Sequence, residues 1–598
     1  MNNQMDIEKV NSEKFEKVLC HGQQMISPVY TEKNNCQDCY KCLRQCPVKA
    51  IKIESGSASV IASECIYCGH CVQVCPVGAK KVRDDFSKLS EALDQGMKVI
   101  ACLAPSYISE FPGLDPQVLA GALKKLGFWG VSETALGAEI VAEQTSAYIK
   151  EKSEGIFISS CCPSVVRLIN KHYPQLADYI VPVLSPMQTH SKVLKGLYGP
   201  DVQTAFFGPC IAKKGECDDY PGLTDYALTF SDLHDFLDMN YPSWELQESE
   251  QDNIFIPTQA GKGSYFPVDG GMIANMKRQT SMTDASFMSF SGITSVKEVL
   301  NNLAEWKTGE PLFLELLICE GGCVKGPCSI NSSSVAIKRQ RVLKEVNLRK
   351  ETLLYTGAQV DITFDQKDDN PVNLKQVTEA EIANALKSTG KFTEADELNC
   401  GGCGYDSCRD FAIAMLNGKA ERLMCVSNNR RVAQDKASVL LKKIPYGVVM
   451  VDETLTIIDS NRLFAEILGG EVLELYNSLG KLEGSDLKKV AFFHKLFSSV
   501  LYSGEEMIER RIRENGLLLN VSVITLQPHK IVCGIIRNLQ DPEVRKDHVL
   551  NTTRQVIHQN MEIVQKIAFL LGENAAYTES MLNSIVESVD QDHHSIQE

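Results

Sequence analysis

The sequence lacks several features that would place it in a common class. No run of about 18 apolar residues appears in its 598 residues, which argues against a membrane-spanning helix. Positive charge is not in excess: 76 acidic residues outnumber 61 Lys and Arg, and the net charge of −15 argues against nonspecific binding to nucleic acid or anionic membrane. The first residues are polar and charged, without the apolar core of a secretory signal, so we expect a cytoplasmic protein.

The chain is too long for one domain, and changes in composition divide it into segments. We predict a multidomain α+β protein. Apolar runs at 98–104 and 155–159 favour buried strands, and the stretches 117–126 and 138–150 favour helices. The predicted segments are a loose N-terminal tail (1–27), a cysteine-rich module (28–85), an α/β domain (95–364), a small helical cysteine domain (376–432), a second α/β unit (438–545) and a helical tail (546–598).

The chain has 22 cysteines, which in a cytoplasmic protein indicate metal binding or redox chemistry rather than disulfides. Two runs share one spacing: Cys36-x2-Cys39-x2-Cys42-x3-Cys46-Pro47 and Cys65-x2-Cys68-x2-Cys71-x3-Cys75-Pro76. In bacterial ferredoxins, three close thiolates of such a run bind one 4Fe-4S cluster and the fourth binds the other. We therefore predict one cluster on Cys36, Cys39, Cys42 and Cys75, and a second on Cys65, Cys68, Cys71 and Cys46. Zinc is the alternative, but it favours CxxC pairs separated by longer loops.

Three loops of the α/β domain carry further cysteines. They are Ser159-Ser-Cys161-Cys162-Pro163, Gly208-Pro-Cys210-Ile-Ala-Lys213-Lys214-Gly-Glu216 and Glu315-Leu-Leu-Ile-Cys319-Glu-Gly-Gly-Cys323. Taken alone, each is typical of buried structural thiols. Together, in this order, they resemble the three signature loops of [FeFe]-hydrogenases. The resemblance covers about residues 95–350 and includes Leu103-Ala-Pro-Ser106 and Gly270-Gly-Met-Ile-Ala-Asn275.

The resemblance implies an H-cluster and assigns its residues. Cys162, Cys210, Cys319 and Cys323 would hold a 4Fe-4S cluster, bridged by Cys323 to a two-iron site with carbon monoxide, cyanide and an aza-dithiolate. Lys213 would pair with the cyanide charge, and Cys161 would be the first proton donor. Ser106 and Glu143 complete the implied catalytic set. The implied reaction is the reversible conversion of H2 into two protons and two electrons.

Departures from the family pattern indicate slow turnover. Of the two glutamates expected three residues apart, Glu143 matches the first, but Ser146 occupies the second position. Val181 occupies the position of a relay serine, and a valine cannot pass a proton. Gly208 and Leu317 replace methionines expected beside the two-iron site, which should change its potential and gas affinity.

The C-terminal part adds a third cluster motif and a second resemblance. Cys400-Gly-Gly-Cys403-Gly-Tyr-Asp-Ser-Cys408, followed by Cys425, resembles a small helical 4Fe-4S domain, with zinc as the alternative. The segment from Ile444 to Asn461 and the β runs at 517–524 and 531–536 resemble a PAS domain. The last helix candidate, 546–590, has an apolar stripe suited to a partner helix.

We expect a hydrogen- or redox-sensing [FeFe]-hydrogenase of low activity. An ordinary catalytic hydrogenase, and a non-catalytic iron–sulfur scaffold of the kind that serves cluster assembly, are the alternatives. The resemblances imply H2 and protons as substrates, a redox partner such as ferredoxin, maturation enzymes for the two-iron site, a homodimer and an unidentified signalling partner such as a phosphatase or kinase. Neither nucleic acid nor membrane is expected as a partner.

Overall fold

The computed structural model divides the chain into two compact units, Met1–Asn428 and Asn429–Glu598. It describes residues 17–20, 23–152, 154–242, 244, 255–279, 286–306, 309–349, 360–364, 370–373, 375–514, 516–540 and 561. The predicted C-terminal helix therefore lies outside the described residues, apart from one position. No helix among the described residues is both long and apolar enough to cross a membrane.

The N-terminal tail contains a hairpin that the sequence analysis missed. β1 (Lys17–Cys20) pairs antiparallel with β2 (Gln23–Ile26). Both strands carry two apolar residues, and the two residues between them include Gly22, a combination typical of a hairpin. The prediction of a loose tail over the whole of residues 1–27 is therefore wrong for these eight residues.

The cysteine-rich module has two short helices, each of which begins inside a cysteine run. In chain order its elements are β3 (Val29–Thr31), α1 (Lys41–Arg44), β4 (Ile51–Glu54), β5 (Ser57–Val60), α2 (His70–Val74) and β6 (Lys80–Val82). β3 pairs with β6 and β4 with β5, both antiparallel. Gly69 caps α2 in a left-handed conformation, and a Cβ there would lie 2.5 Å from Pro327 of the next domain. A glycine is therefore required for this close approach.

The α/β domain is built on two parallel sheets. Its strands are β7 (Val99–Leu103), β8 (Gly130–Glu133), β9 (Ile156–Ile158), β10 (Gln203–Gly208), β11 (Tyr226–Thr229), β12 (Phe287–Ser291) and β13 (Leu312–Leu317). One sheet has the order β11-β10-β7-β8 and the other β12-β13-β9. Strand β13 is buried along its whole length, as expected for a parallel sheet covered on both faces.

Helices connect these strands and cover the sheets. They are α3 (Phe86–Asp94), α4 (Tyr107–Glu110), α5 (Pro116–Lys125), α6 (Ala135–Lys152), α7 (Pro163–His172), α8 (Pro186–Tyr198), α9 (Ala212–Asp219), α10 (Phe230–Asn240), α11 (Gly271–Gln279), α12 (Ile293–Asn302) and α13 (Val335–Leu348). Strands β7 and β9 and helices α5 and α6 lie where the hydrophobic pattern predicted them. Arg349 follows α13 and holds the end of this helix against β8, because its buried guanidinium lies 2.7 Å from Glu133 at the end of that strand.

The small cysteine domain is helical, as predicted, with α14 (Glu379–Ser388), α15 (Cys408–Leu416) and α16 (Val426–Lys443). Its first helix has a complete capping box, in which Thr378 and Glu381 exchange hydrogen bonds. The boundary between the two compact units falls within the first turn of α16, between Asn428 and Asn429.

The second unit contains one antiparallel sheet in the order β15-β14-β18-β17-β16. Its elements are β14 (Gly447–Asp452), β15 (Ile457–Ser460), α17 (Arg462–Leu468), α18 (Gly470–Leu479), α19 (Leu487–Val490), α20 (His494–Ser503), β16 (Met507–Glu514), β17 (Leu517–Gln527) and β18 (Ile531–Asn538). Asn461 caps α17 through its side chain, and β17 pairs antiparallel with β18. Phe464, Phe497 and Val521 belong to the buried core of this unit.

Candidate functional site

A cavity of about 110 Å³ lies where five parallel strands of the α/β domain end. The loops after β7, β8 and β10 approach it from one sheet, and the loops after β9 and β13 approach it from the other. Within the first sheet, β10 and β8 lie on opposite sides of β7, so the strand order reverses there. Open parallel sheets bind ligands at such a reversal, beyond the carboxyl ends of the strands.

Four of the predicted cluster ligands line this cavity. They are Cys162, Cys210, Cys319 and Cys323. Burial raises the pKa of each thiol, to about 11 for Cys210. A buried thiol loses its proton readily only when a cation replaces it, and soft thiolates are the ligands that iron–sulfur clusters use. The donor set therefore fits a cluster in this cavity.

Cys161 faces the same cavity and contacts a methionine. Its Sγ lies 3.5 Å from the Sδ of Met272, at the start of α11, and the Ser159 hydroxyl donates to the same sulfur at 3.3 Å. Burial raises the pKa of Cys161 to about 12, so this thiol carries its proton at neutral pH. Met272 thus brings a thioether to a cavity where Gly208 and Leu317 supply none.

Lys213 is buried at the cavity wall and is paired. Its Nζ lies 2.6 Å from Glu216 Oε2, one turn along α9, and donates to the Ser185 hydroxyl at 2.9 Å. Burial opposes the charge on Lys213, but the ion pair with Glu216 nevertheless raises its pKa. A fixed cation is therefore present at the edge of the cavity, which suits a ligand with negative charge.

Two buried hydroxyls at the cavity lack hydrogen-bond partners. Ser106, after β7, and Thr134, after β8, both line the cavity, and neither side-chain oxygen is bonded within the described residues. Buried polar groups are normally satisfied, so orphaned hydroxyls facing a cavity indicate a polar ligand. Ser106 and Lys213 fit the donors that the cyanide groups of a two-iron site require. The residues present therefore fit the implied cofactor.

Glu315 is a cavity residue to which the sequence analysis gave no role. Its carboxylate lies within β13 and accepts hydrogen bonds from the backbone N–H groups of Met272 (3.3 Å) and Ile273 (3.2 Å). Burial raises the pKa of Glu315 to about 8. The sequence did contain a signal for Glu315, because a glutamate within an otherwise apolar strand is rare unless it is paired or functional.

The implied catalytic residue Glu143 does not reach the cavity. It is exposed on α6, whereas Ala138 of the same helix lines the cavity. Five residues of α-helix turn a side chain by about 140° from its starting direction, which points Glu143 away. Ser146 donates instead to the Ala142 carbonyl of its own helix at 2.8 Å, and Val181 is buried in an apolar cluster. Of the implied catalytic set, the structure brings together Cys161, Lys213 and Ser106, and leaves out Glu143.

The second predicted ferredoxin-type set also converges. Cys46, Cys65, Cys68 and Cys71 line one small cavity. In the first set, Cys36 and Cys39 lie near enough to Cys42 to influence its pKa, which burial raises. Cys75 follows α2, and its sulfur accepts a hydrogen bond from the N–H of Ala79. Among the described residues, no group of three or more His, Cys, Asp and Glu side chains is arranged to hold a single metal ion.

The ferredoxin-type module adjoins the α/β cavity directly. Tyr67 and Cys68 line both the small cavity of the second set and the large cavity. The sulfur of Cys68 also influences the pKa of Cys319, which burial raises strongly. A predicted ligand of one cluster is therefore a neighbour of a predicted ligand of the next.

The third cysteine set lies against the ferredoxin-type module. Cys400, Cys403, Cys408 and Cys425 line a cavity together with Lys391. Lys49 donates to the Gly404 carbonyl at 2.8 Å, and Lys419 forms an ion pair with Glu64 at 2.6 Å, with both side chains largely buried. These contacts join segments more than 350 residues apart in the sequence.

The contact between these two cysteine regions has an apolar centre. Tyr405 and Cys425 belong to the same buried cluster as Cys42 and Leu43, and the partly buried Cys403 packs against it. A Cβ at Gly404, which has φ +95°, would lie 2.9 Å from Leu43 Cγ, so only glycine permits the observed approach. The small helical domain is thus packed on the module that carries the first two sets.

Family comparisons match three segments of the chain. The C-terminal domain of the iron-only hydrogenase large subunit matches residues 97–327, a 4Fe-4S dicluster domain matches residues 28–76, and an Fe-S cluster family matches residues 396–427. These matches define an iron–sulfur protein with a hydrogenase-type domain, and they agree with the cysteine sets described above.

The curated relatives include an iron hydrogenase and an Fe-S cluster assembly factor. Iron hydrogenase 1 of Clostridium pasteurianum is 28% identical over 252 residues, which cover 34% of this chain and 44% of that protein. The cytosolic Fe-S cluster assembly factor NAR1 of Encephalitozoon cuniculi is 27% identical over 229 residues, which cover 35% and 62%. The chain thus spans less than two thirds of each relative. The family model and these relatives are similar to residues 97–327 and to other parts of this chain, and they support a hydrogenase-type domain in an iron–sulfur protein.

Solved structures give low overall scores. A variant of the [FeFe]-hydrogenase HydA1 from Chlamydomonas reinhardtii has 18% identity and a TM-score of 0.34, covering 43% of this chain and 88% of that one. The PAS domain of nitrogen regulation protein NR(II) from Vibrio parahaemolyticus has 18% identity and a TM-score of 0.14, covering 17% and 96%.

Proposed function

We propose that this protein is a hydrogen- or redox-sensing [FeFe]-hydrogenase with slow turnover. The observation that carries the proposal is the α/β cavity. It holds Cys161, a buried Lys213–Glu216 pair and orphaned hydroxyls beside four thiols, while Glu143 is exposed and Ser146 bonds to its own helix. The groups that would bind the cofactor are present, and the relay that would feed it protons quickly is interrupted.

When bound, the two-iron site supplies the reversible splitting of H2 into two protons and two electrons. Cys161 holds a proton at its thiol, beside the cavity. Lys213 fixes positive charge at the cavity wall, because Glu216 keeps it ionised there. Cys162, Cys210, Cys319 and Cys323 would hold the cluster, and Cys68 places the next set of thiols beside it. Leu317 and Phe206 keep the lining apolar, which limits the entry of water.

The second unit and the partners belong to the same proposal. The sheet order, in which the last strand (β18) is central and the first strand (β14) lies beside it, supports a PAS domain over residues 438–545. We propose that this domain acts in dimer formation and passes the signal to a phosphatase, kinase or other partner. A ferredoxin-like redox partner and cytoplasmic maturation enzymes complete the proposed system.

Infrared spectroscopy tests the proposal. The full chain would be reconstituted anaerobically with its 4Fe-4S clusters, loaded with a synthetic two-iron cofactor, and measured under argon and then hydrogen, with turnover assayed on the same sample. We expect bands between about 1800 and 2100 wavenumbers that shift under hydrogen, together with slow turnover. The Cys162→Ala variant should lose the bands, and Cys533→Ser, in the second unit, should keep them.

The NAR1 similarity favours one competing function, a non-catalytic iron–sulfur scaffold. That function predicts protein with intact 4Fe-4S clusters and no carbonyl or cyanide bands. Shifting bands with fast turnover would instead support an ordinary catalytic hydrogenase, in line with the similarity to iron hydrogenase 1.

A further inference from the structure

Cys425 lies at the junction between the third cysteine set and helix α16. It lines the cavity of that set, and α16 begins at the next residue, Val426. Cys425 has extended backbone angles (φ −73°, ψ 101°) and therefore occupies the N-cap position of α16. A predicted cluster ligand is thus also the capping residue of a helix of 18 residues.

The sulfur of Cys425 acts as the cap acceptor. The backbone N–H of Asn428 donates to it, as an N3 donor does to an N-cap side chain, and the Ser427 hydroxyl lies 3.3 Å away. The ammonium group of Lys391 also donates to this sulfur at 3.3 Å, and Lys391 is only 5% exposed. A buried lysine aimed at one sulfur fixes that sulfur in its capping position.

The first turn of α16 has low intrinsic helix propensity, so its cap contributes to its stability. Its residues are Val426, Ser427, Asn428 and Asn429, all weak helix formers, and the turn contains no acidic residue that would favour the helix dipole. Val426 is 54% exposed, Arg430 and Arg431 are also exposed, and Asn428, at 4% exposure, is the buried residue of this turn. The boundary between the two compact units falls in this same turn.

We infer that the redox state of the C-terminal cluster controls the stability of the first turn of α16, through the charge on the N-cap residue Cys425. This inference rests on the proposed function for the source of the electron. Reduction adds one electron and one negative charge to the Cys425 side of the helix and breaks no bond. Negative charge at a helix N-terminus stabilises the first turn, so the turn tightens on reduction and loosens on oxidation. Lys391 is a positioning residue, since it holds the capping sulfur and favours the reduced state.

Hydrogen exchange on the full chain tests this inference without the two-iron site. Protein carrying only its 4Fe-4S clusters would be compared after oxidation and after chemical reduction with dithionite, so that failure of the hydrogenase chemistry cannot affect the outcome. We expect the amides of residues 427–431 to exchange about three to ten times more slowly in the reduced protein, while amides of β17 do not change. Equal exchange rates in the two states would overturn the inference.

The Lys391→Met variant provides a second readout. Loss of the positive charge and of its hydrogen bond should lower the reduction equilibrium constant of the C-terminal cluster about tenfold, or about 59 mV for one electron. Lys391→Arg should keep the potential close to that of the unaltered protein, and Lys387→Met, in α14, should leave it unchanged. The signal would be assigned by its absence in Cys403→Ala/Cys408→Ala protein. An unchanged potential in Lys391→Met protein that retains the cluster would contradict the role of Lys391. If the variant loses the cluster, the exchange experiment on the unaltered chain decides.

Discussion

Removal of Glu216 should leave a buried cation without its partner. The Glu216→Gln substitution keeps the size of the side chain but removes the charge that lies 2.6 Å from Lys213 Nζ. Both side chains are almost fully enclosed, with relative exposures of 11% for Lys213 and 5% for Glu216. Breaking a buried pair in this way costs about 3 to 5 kcal/mol of folding stability. A second substitution, Lys213→Met, should recover part of that loss, because it removes the stranded charge.

The effect should also change with pH in a defined direction. In the unaltered protein the folded-state pKa of Lys213 is raised, so the stability it contributes is present below the ordinary lysine pKa of about 10.4 and is lost only as pH rises through the raised value. Without Glu216, burial dominates and lowers the folded-state pKa. The variant should therefore become less stable as pH falls from about 10 towards 7, whereas the unaltered protein should not.

Tryptophan fluorescence can follow this domain alone. All three tryptophans, Trp129, Trp244 and Trp306, lie within residues 97–327, so urea unfolding monitored by emission reports on the α/β domain. Glu320→Gln is the matched control, since Glu320 pairs with Lys325 at 2.8 Å with exposures of 78% and 49%. An exposed pair contributes at most about 1 kcal/mol. Equal losses for Glu216→Gln and Glu320→Gln would refute the view that the Lys213 pair is desolvated.

Three further results are expected. Cys161→Ser should keep the iron content and the infrared bands but reduce hydrogen turnover at least about tenfold, with Cys102→Ser as a buried-thiol control of unchanged turnover. The unaltered protein should lose stability as pH rises from about 4.3 to 8, because in that range the folded state keeps a proton on Glu315 that the unfolded state has lost. Glu315→Gln should remove this loss. A variant whose urea midpoint still falls as pH rises through that range would contradict the assignment. Gly404→Ala should separate the small helical domain from the ferredoxin-type module through its clash with Leu43 and weaken the magnetic coupling between their clusters in electron paramagnetic resonance, while Gly418→Ala, where a Cβ meets no atom within 4 Å, should preserve the coupling.

Local patterns in the sequence predicted much of this architecture. Thiols that belong to one short motif, such as Cys65, Cys68 and Cys71, were assigned together from their spacing, because few residues separate them. The strands at 98–104 and 155–159 were also recognisable, since buried parallel strands are continuous apolar runs. What spacing cannot supply is the direction of a side chain on a long helix. Glu143 was aligned by its position relative to the cysteines, yet the rotation of α6 turns it to solvent.

Contacts between distant segments were the other omission. Nothing local to Gly404 or Lys419 indicates that they meet a module some 350 residues earlier, because the pairing depends on the tertiary packing of two small domains. Met272 was noted only as part of a glycine motif, although its sulfur contacts Cys161. The replacement of methionine by Gly208 and Leu317 was visible in the sequence, whereas the thioether that Met272 supplies from the start of α11 was not.

The packing of the small helical domain bears on the choice between a sensor and a fast enzyme. Cys68 stands between the large cavity and the second ferredoxin-type set, and Tyr405 lies beside both Cys403 and Cys46, whose charges add to burial in raising its pKa. The cysteine sets therefore form a continuous series of neighbours that leads from the α/β cavity to Cys425. A fast enzyme needs such a series to end where a diffusing partner can collect electrons. In this protein the last set has two different ends: Cys400 is exposed, whereas Cys425 lies at the N-cap of α16 with Lys391 buried against its sulfur. An electron that reaches this set therefore also changes the charge at the start of α16.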